Sequence, residues 1–119
     1  MKTFISGLFH AIEGISRSWK IGRNFRIQVG CGVASLVLCV LLNVQGWEWN
    51  VVLILIGGVL ALETINSSIE KLCDLITMER NPKIKTIKDL SAGAVLIFCV
   101  VALVIGCLIF IPKIILTLS

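Results

Sequence analysis

The chain has 119 residues, 57% of them hydrophobic and 15% charged, with a net charge of +4. Together with a mean hydropathy of +1.01, this excludes an ordinary soluble domain and fits one small integral membrane domain, residues 1–119. The positive balance sits in clusters suited to a cytoplasmic membrane face, so it implies no nucleic-acid partner.

Residues 1–22 open the chain as an amphipathic helix. At helical spacing Phe4, Ile5, Leu8, Phe9, Ile12, Ile15 and Trp19 share an arc of about 140°. Lys2, Ser6, His10, Glu13, Arg17 and Lys20 occupy the other side. The stretch lacks the unbroken apolar core and cleavage site of a signal peptide. It reads as a helix lying on the membrane surface, with a packed soluble helix as the alternative.

Three transmembrane helices are expected, over 27–47, 50–78 and 86–112, giving an all-α membrane protein. Ile27 to Trp47 carries no charge and is long enough to cross a bilayer. Gly46 is expected to turn the chain, with Trp47 and Trp49 bracketing Glu48 in an interfacial belt. In the second span, Gly57 and Ala61 form a small-xxx-small step for close helix approach. Glu79-Arg80-Asn81-Pro82-Lys83 is a polar turn in which Pro82 stops the helix. Leu90 to Pro112 is again uncharged. Cys31, Cys39, Cys73, Cys99 and Cys107 show no metal spacing and read as small hydrophobes.

Every basic residue except Lys113 lies before the first span or around the second-to-third loop. That asymmetry puts the N-terminus in the cytoplasm and the C-terminus outside.

Chemistry concentrates where the second span returns to the cytoplasmic face. Glu63, Asn66, Glu70 and Asp74 fall within roughly 80° of one another on a helix, while Ile65, Leu72 and Ile76 take the opposite side. An acid deep in an apolar segment is costly and usually faces a partner or a polar cavity. Glu63 is the deepest, about 10 Å above Glu70 along the axis. Lys88 and Asp89 open the third span at about the depth of Glu70 and Asp74. Carboxylates, an amide and a lysine at this boundary could hold a magnesium-bound polyphosphate beside a lipid headgroup. A solvated helix end is the plainer reading for Asp74. There is no GxxxxGK loop of a soluble nucleotide fold.

Residues 63–74, ETINSSIEKLCD, and 88–95, KDLSAGAV, resemble the prokaryotic diacylglycerol kinase and undecaprenol kinase family. Its pattern is E-x-x-N-(S/T)-x-x-E-x-x-x-D followed by KD-x-x-(A/S)-(A/G)-A-V. Asn24-Phe25-Arg26-Ile27 and Ile111-Pro112-Lys113 extend the likeness over nearly the whole chain. The resemblance implies a homotrimer in the bacterial inner membrane, with sites shared between neighbouring subunits. It implies transfer of the ATP γ-phosphate to a lipid hydroxyl. Carried over by position, Glu63 is the catalytic base and Asn66 an active-site amide near the γ-phosphate. Glu70 is a Mg2+ ligand, and Asp74, Lys88 and Asp89 belong to the ATP site.

Three positions depart from the family. Gly22 stands where relatives carry a second metal-binding glutamate, leaving open weaker metal binding, a substitute such as Glu13, or an inactive homologue. Gln28 replaces a histidine common in Gram-positive-type relatives, and Arg80-Asn81-Pro82-Lys83 replaces a Tyr-His-Pro type of loop. The resulting expectation is a Mg-ATP-dependent lipid kinase, with undecaprenol as acceptor and diacylglycerol as the alternative. A channel-like subunit built on Glu63 and a non-catalytic scaffold are the readings from other classes.

Overall fold

A computed structural model describes residues 1–119 as four helices joined by short connections. They are α1 (Lys2–Ile21), α2 (Arg23–Leu41), α3 (Gly46–Ile76) and α4 (Pro82–Leu118). The last three are long and apolar enough to cross a membrane. Only 12 of the 119 residues are buried, and the exposed surface is dominated by Leu, Ile and Val. Water would not tolerate such a surface, so its solvent is lipid or further protein. This is an all-helical membrane protein.

α3 is the centre of the chain, packing against both α2 and α4, which have little direct contact with each other. Its 31 residues make a rod of about 46 Å, against about 28 Å for the 19-residue α2. A hydrocarbon core is about 30 Å thick. α3 therefore has length to spare, and its acidic C-terminal third can stand at or beyond the membrane boundary.

The helices and the charge-free runs do not share ends. α2 stops at Leu41, and the reversal runs through residues 42–45, with Asn43 at φ 49°, a left-handed conformation that asparagine tolerates well. Gly46 is thus not the turn but the first residue of α3. Gln45 caps that helix, its N–H donating to Glu48 Oε1 at 2.8 Å. At the other hairpin, α3 ends at Ile76, so Pro82 does not stop it. Pro82 instead begins α4, where its missing N–H matters least, and Asn81 Oδ1 accepts from Lys83 N at 2.9 Å. α4 continues through Pro112 to Leu118.

Close helix approach also differs from expectation. Gly57 is exposed and a Cβ there would meet nothing, so the Gly57–Ala61 step is not used within the chain. The contact is one residue on: a Cβ at Gly58 would run into the Phe98 ring of α4. Gly32 plays the same part for α2, where a Cβ would lie 3.0 Å from Ile56 Cγ2.

Each end of the α3–α4 pair is tied by an ion pair. Glu48, only 6% exposed, accepts from Lys113 Nζ at 2.9 Å, and Asp74 accepts from Lys88 Nζ at 2.7 Å. Glu48 is therefore a buried partner of the C-terminal lysine, while Trp47 beside it is exposed and Trp49 packs on the core around Cys39, Val52 and Ile109. All five cysteines are free.

α1 ends at Gly22, which has an extended backbone and donates its N–H to Ser18 O at 2.9 Å. A Cβ there would lie 2.7 Å from that same oxygen, closer than side chains approach backbone. Arg26 Nη1 secures the corner by donating to Trp19 O at 2.8 Å. Glycine at 22 is thus demanded by the sharpness of this break.

Candidate active site

The helical phase of the acidic stripe is the one the spacing predicts. Ile65, Leu72 and Ile76 are more than half exposed, whereas Glu63 and Asn66 are 5% and 6% exposed. Burying a carboxylate and an amide in an apolar helix is unfavourable unless other groups or a ligand compensate. What surrounds them therefore matters.

Gln28 approaches the Glu63 carboxylate from α2, and Cys99 lies near it on α4. One turn further along α3, Asn66 Nδ2 donates to Glu70 Oε1 at 3.3 Å, a long bond between residues four apart. Glu70 is exposed and forms no ion pair. Asp74, one turn beyond, is half-buried and held by Lys88 from α4. Glu63, Asn66, Glu70, Asp74 and Lys88 thus form one continuous polar track from a buried acid to an exposed ion pair. The track is about 16 Å long at the helical rise.

Asp89 lies off this track. Its carboxylate pairs with Lys85 on the same helix, and it lines a shallow hollow with Thr86, Gly93 and Ala94. Lys88 and Asp89 are adjacent in sequence but point about 100° apart on a helix. Within one chain, only Lys88 joins the α3 acids.

Two buried side-chain oxygens have no hydrogen-bond partner, Asn66 Oδ1 and Gln28 Oε1. Both flank Glu63. A buried acceptor left unpaired costs about 1–3 kcal/mol, so two beside one acid mark a place built for something else. Gln28 is the residue that sequence reasoning passed over as a mere departure. The available signal was an amide in the otherwise apolar stretch following Ile27.

From Gln28 an apolar groove of about 520 Å³ runs between α2 and α4 with α3 as its floor. Small residues set its width, with Cys31 and Gly32 on one wall and Cys99 and Gly106 on the other, and Phe110 lies at the far end. The arrangement joins a hydrocarbon-lined groove to a buried carboxylate and then to an exposed acid–lysine pair.

The magnesium expectation can be weighed against these donors. Magnesium takes hard oxygen ligands and commonly uses one or two carboxylates, filling the remaining positions with phosphate and water. Glu70, uncommitted to any cation and accessible, fits that role. No cluster of three metal-binding side chains exists in the chain, so the donor set suits a phosphate-borne ion better than a protein-caged one.

Known proteins resemble this chain along most of its length. The family described as Prokaryotic diacylglycerol kinase matches residues 9–110, which take in all of α2 and α3, most of α1 and α4, and the whole polar track. An undecaprenol kinase of Bacillus subtilis is 38% identical over 113 residues, covering 95% of this chain and 92% of that protein. A diacylglycerol kinase of Synechocystis is 31% identical over 87% of this chain, which spans 59% of that longer protein. A diacylglycerol kinase of Helicobacter pylori is 31% identical, with 81% of this chain and 75% of that protein aligned. With the family match spanning residues 9–110, the chain belongs to the prokaryotic diacylglycerol kinase family.

Proposed function

We infer that this protein is a lipid kinase that transfers the γ-phosphate of ATP to a membrane-lipid hydroxyl at the inner leaflet. The observation carrying this reading is Glu63, a 5%-exposed carboxylate approached by Gln28, which lines the end of an apolar groove, and on the track leading to Lys88. The groove takes the acceptor's hydrocarbon chain and brings its hydroxyl to Glu63. The Glu63 carboxylate accepts the hydroxyl proton. The lipid oxygen bonds to the γ-phosphorus as the bond to the β–γ bridging oxygen breaks, and ADP leaves.

Asn66 adjoins the transferring group, while Asp74 and Lys88 bind and orient the nucleotide. Glu70 would hold magnesium carried in on ATP, and that ion would supply neutralisation of phosphate charge. Protein groups in phosphoryl transfer chiefly position reactants and stabilise charge, and this set is equipped for both.

Asp89 enters from a second copy. Its position on another face of α4, beside Gly93 and Ala94, supports a homotrimer in which each site borrows from a neighbour. The exposed apolar arc of α1, including Phe4, Leu8 and Ile12, supports a helix lying in the interface of the bacterial inner membrane. The membrane-embedded units lie within α2, α3 and α4, with 1–22 on the surface.

Undecaprenol is the proposed acceptor, and the 38% identity to an undecaprenol kinase over nearly full length supports it. The direct assay offers purified protein in micelles labelled ATP with undecaprenol and diacylglycerol in turn. Faster labelling of undecaprenol is expected. Faster labelling of diacylglycerol would reassign the acceptor, and labelling of neither would remove the kinase reading.

Topology provides an independent check. A reporter fused after Ser119 should read as extracytoplasmic and one inserted at Asn81 as cytoplasmic, because ten of eleven basic residues lie on the N-terminal side of the membrane. The reverse pattern would separate the polar track from cytoplasmic ATP.

A further inference from the structure

The groove between α2 and α4 is narrow for its length. Its α4 wall runs from Cys99 to Ile111, about 18 Å at the helical rise. A volume of about 520 Å³ over that length leaves a mean section of about 30 Å². A helix with its side chains is about 10–12 Å across and fills roughly 80–110 Å². A neighbouring helix therefore cannot enter, whereas one hydrocarbon chain can. Apart from Gln28 at one end, the lining offers such a chain nothing strongly polar, because the Ser35 hydroxyl donates to Cys31 O at 2.9 Å.

Gly106 is the lining residue that no contact within the chain explains. Glycine is disfavoured inside a helix, and apolar helices keep it mainly where something approaches closely. Gly32, on the other wall, is explained by Ile56, but a Cβ at Gly106 would meet nothing within 4 Å. Gly106 follows Cys99 by two turns, which returns it to nearly the same side of α4. It thus lies about 10 Å along the axis from the thiol near Glu63.

We propose that Gly106 is a specificity-determining residue, keeping the groove open for a single methyl-branched polyprenyl chain whose hydroxyl end lies at Glu63. Each isoprene unit carries a methyl branch, and the space left by the absent side chain accommodates it. A diacylglycerol would have to leave one of its two acyl chains outside. This rests on the lipid kinase reading for the direction in which the chain lies, but its binding test requires no phosphate transfer.

The chain carries its own probes. Cys31 and Cys107 are exposed and line the groove, while Cys39 and Cys73 are buried away from it and serve as internal references. The full-length protein in micelles is treated with an apolar maleimide, and labelling of each cysteine is followed by peptide mass spectrometry. Undecaprenol should slow labelling of Cys31 and Cys107, and diacylglycerol at the same mole fraction should slow it less. In Gly106→Leu the protection by undecaprenol should be lost. Its kcat/KM for undecaprenol should fall by at least about tenfold, the lower end of the effect of one added group in an apolar pocket, with KM for ATP unchanged. Gly30→Leu, which also adds a side chain in open space but outside the groove, should keep the protection. Protection by undecaprenol in Gly106→Leu equal to that in the unmodified protein would overturn the proposal. So would equal protection by the two lipids in the unmodified protein, a comparison that decides the matter even if Gly106→Leu fails to fold. Shielding of Cys31 and Cys107 that ignores added lipid and disappears when the oligomer is diluted apart would give the groove to a second copy, and would overturn it too. Protection by undecaprenol without phosphate transfer to any acceptor would reject the kinase reading and leave the polyprenyl groove standing. Transfer to undecaprenol without protection would do the reverse.

Discussion

Glu63→Gln is expected to lower turnover by about 10²–10⁴, the range associated with loss of a positioned general base. Each factor of ten corresponds to about 1.4 kcal/mol of barrier, so the loss amounts to roughly 3–5 kcal/mol at the transition state. The amide is nearly isosteric with the carboxylate, and Glu63 is not on the nucleotide end of the track. Affinity for ATP should therefore hold while turnover falls. Folding should hold as well, because a neutral amide at a 5%-exposed site has no charge to desolvate. Glu70→Gln should split the other way, with a raised magnesium requirement and a smaller loss at saturating metal. Rates of phosphate transfer and magnesium titrations on the two variants distinguish these outcomes. Full turnover in both would make the stripe a structural feature.

How much of this could be read from the chain depends on the range of the interaction concerned. The phase of the stripe follows from 100° per residue, so the burial of Glu63 and Asn66 opposite Ile65 and Leu72 was legible directly. The break at Gly22 was visible as a departure, but its cause was not. Only the folded corner reveals that a Cβ would strike Ser18 O. Likewise Gly57 and Gly58 are equivalent in composition, and the choice between them depends on where Phe98 of α4 falls. Helix ends were misplaced at both hairpins because a charge-free run marks solubility in lipid, while a helix end is set by local caps. Asn43 adopts positive φ and Gln45 caps α3, and neither changes the hydropathy. Gln28 escaped because its significance lies across the α2–α3 interface. Pairing between helices far apart in sequence is the information that periodicity does not contain.

Lys88→Met is the second substitution expected to act strongly, lowering kcat/KM by about 10²–10³, as when one charge-stabilising donor is removed from a transition state. Lys88 donates to Asp74 across the α3–α4 hairpin at 2.7 Å. Both side chains are partly exposed, 37% and 42%, so solvent screens the pair and it adds little to stability. The thermal midpoint should consequently stay near that of the unmodified protein while activity collapses. A purely structural pair would give the opposite result, with loss of midpoint and activity in proportion. Asp74→Asn supplies the complementary measurement. If Asp74 only holds Lys88 in place, the Lys88→Met background should hide the effect of Asp74→Asn, because the group being held is already gone. If Asp74 contacts nucleotide in its own right, the double variant should lose activity beyond either single change. Lys88→Arg completes the series. It keeps the charge but replaces a compact ammonium with a planar fork, so partial recovery shows that charge dominates, whereas no recovery shows that the site demands the lysine's geometry. Activity in Lys88→Met equal to that of the unmodified protein would remove the cation from the nucleotide site and confine it to the hairpin.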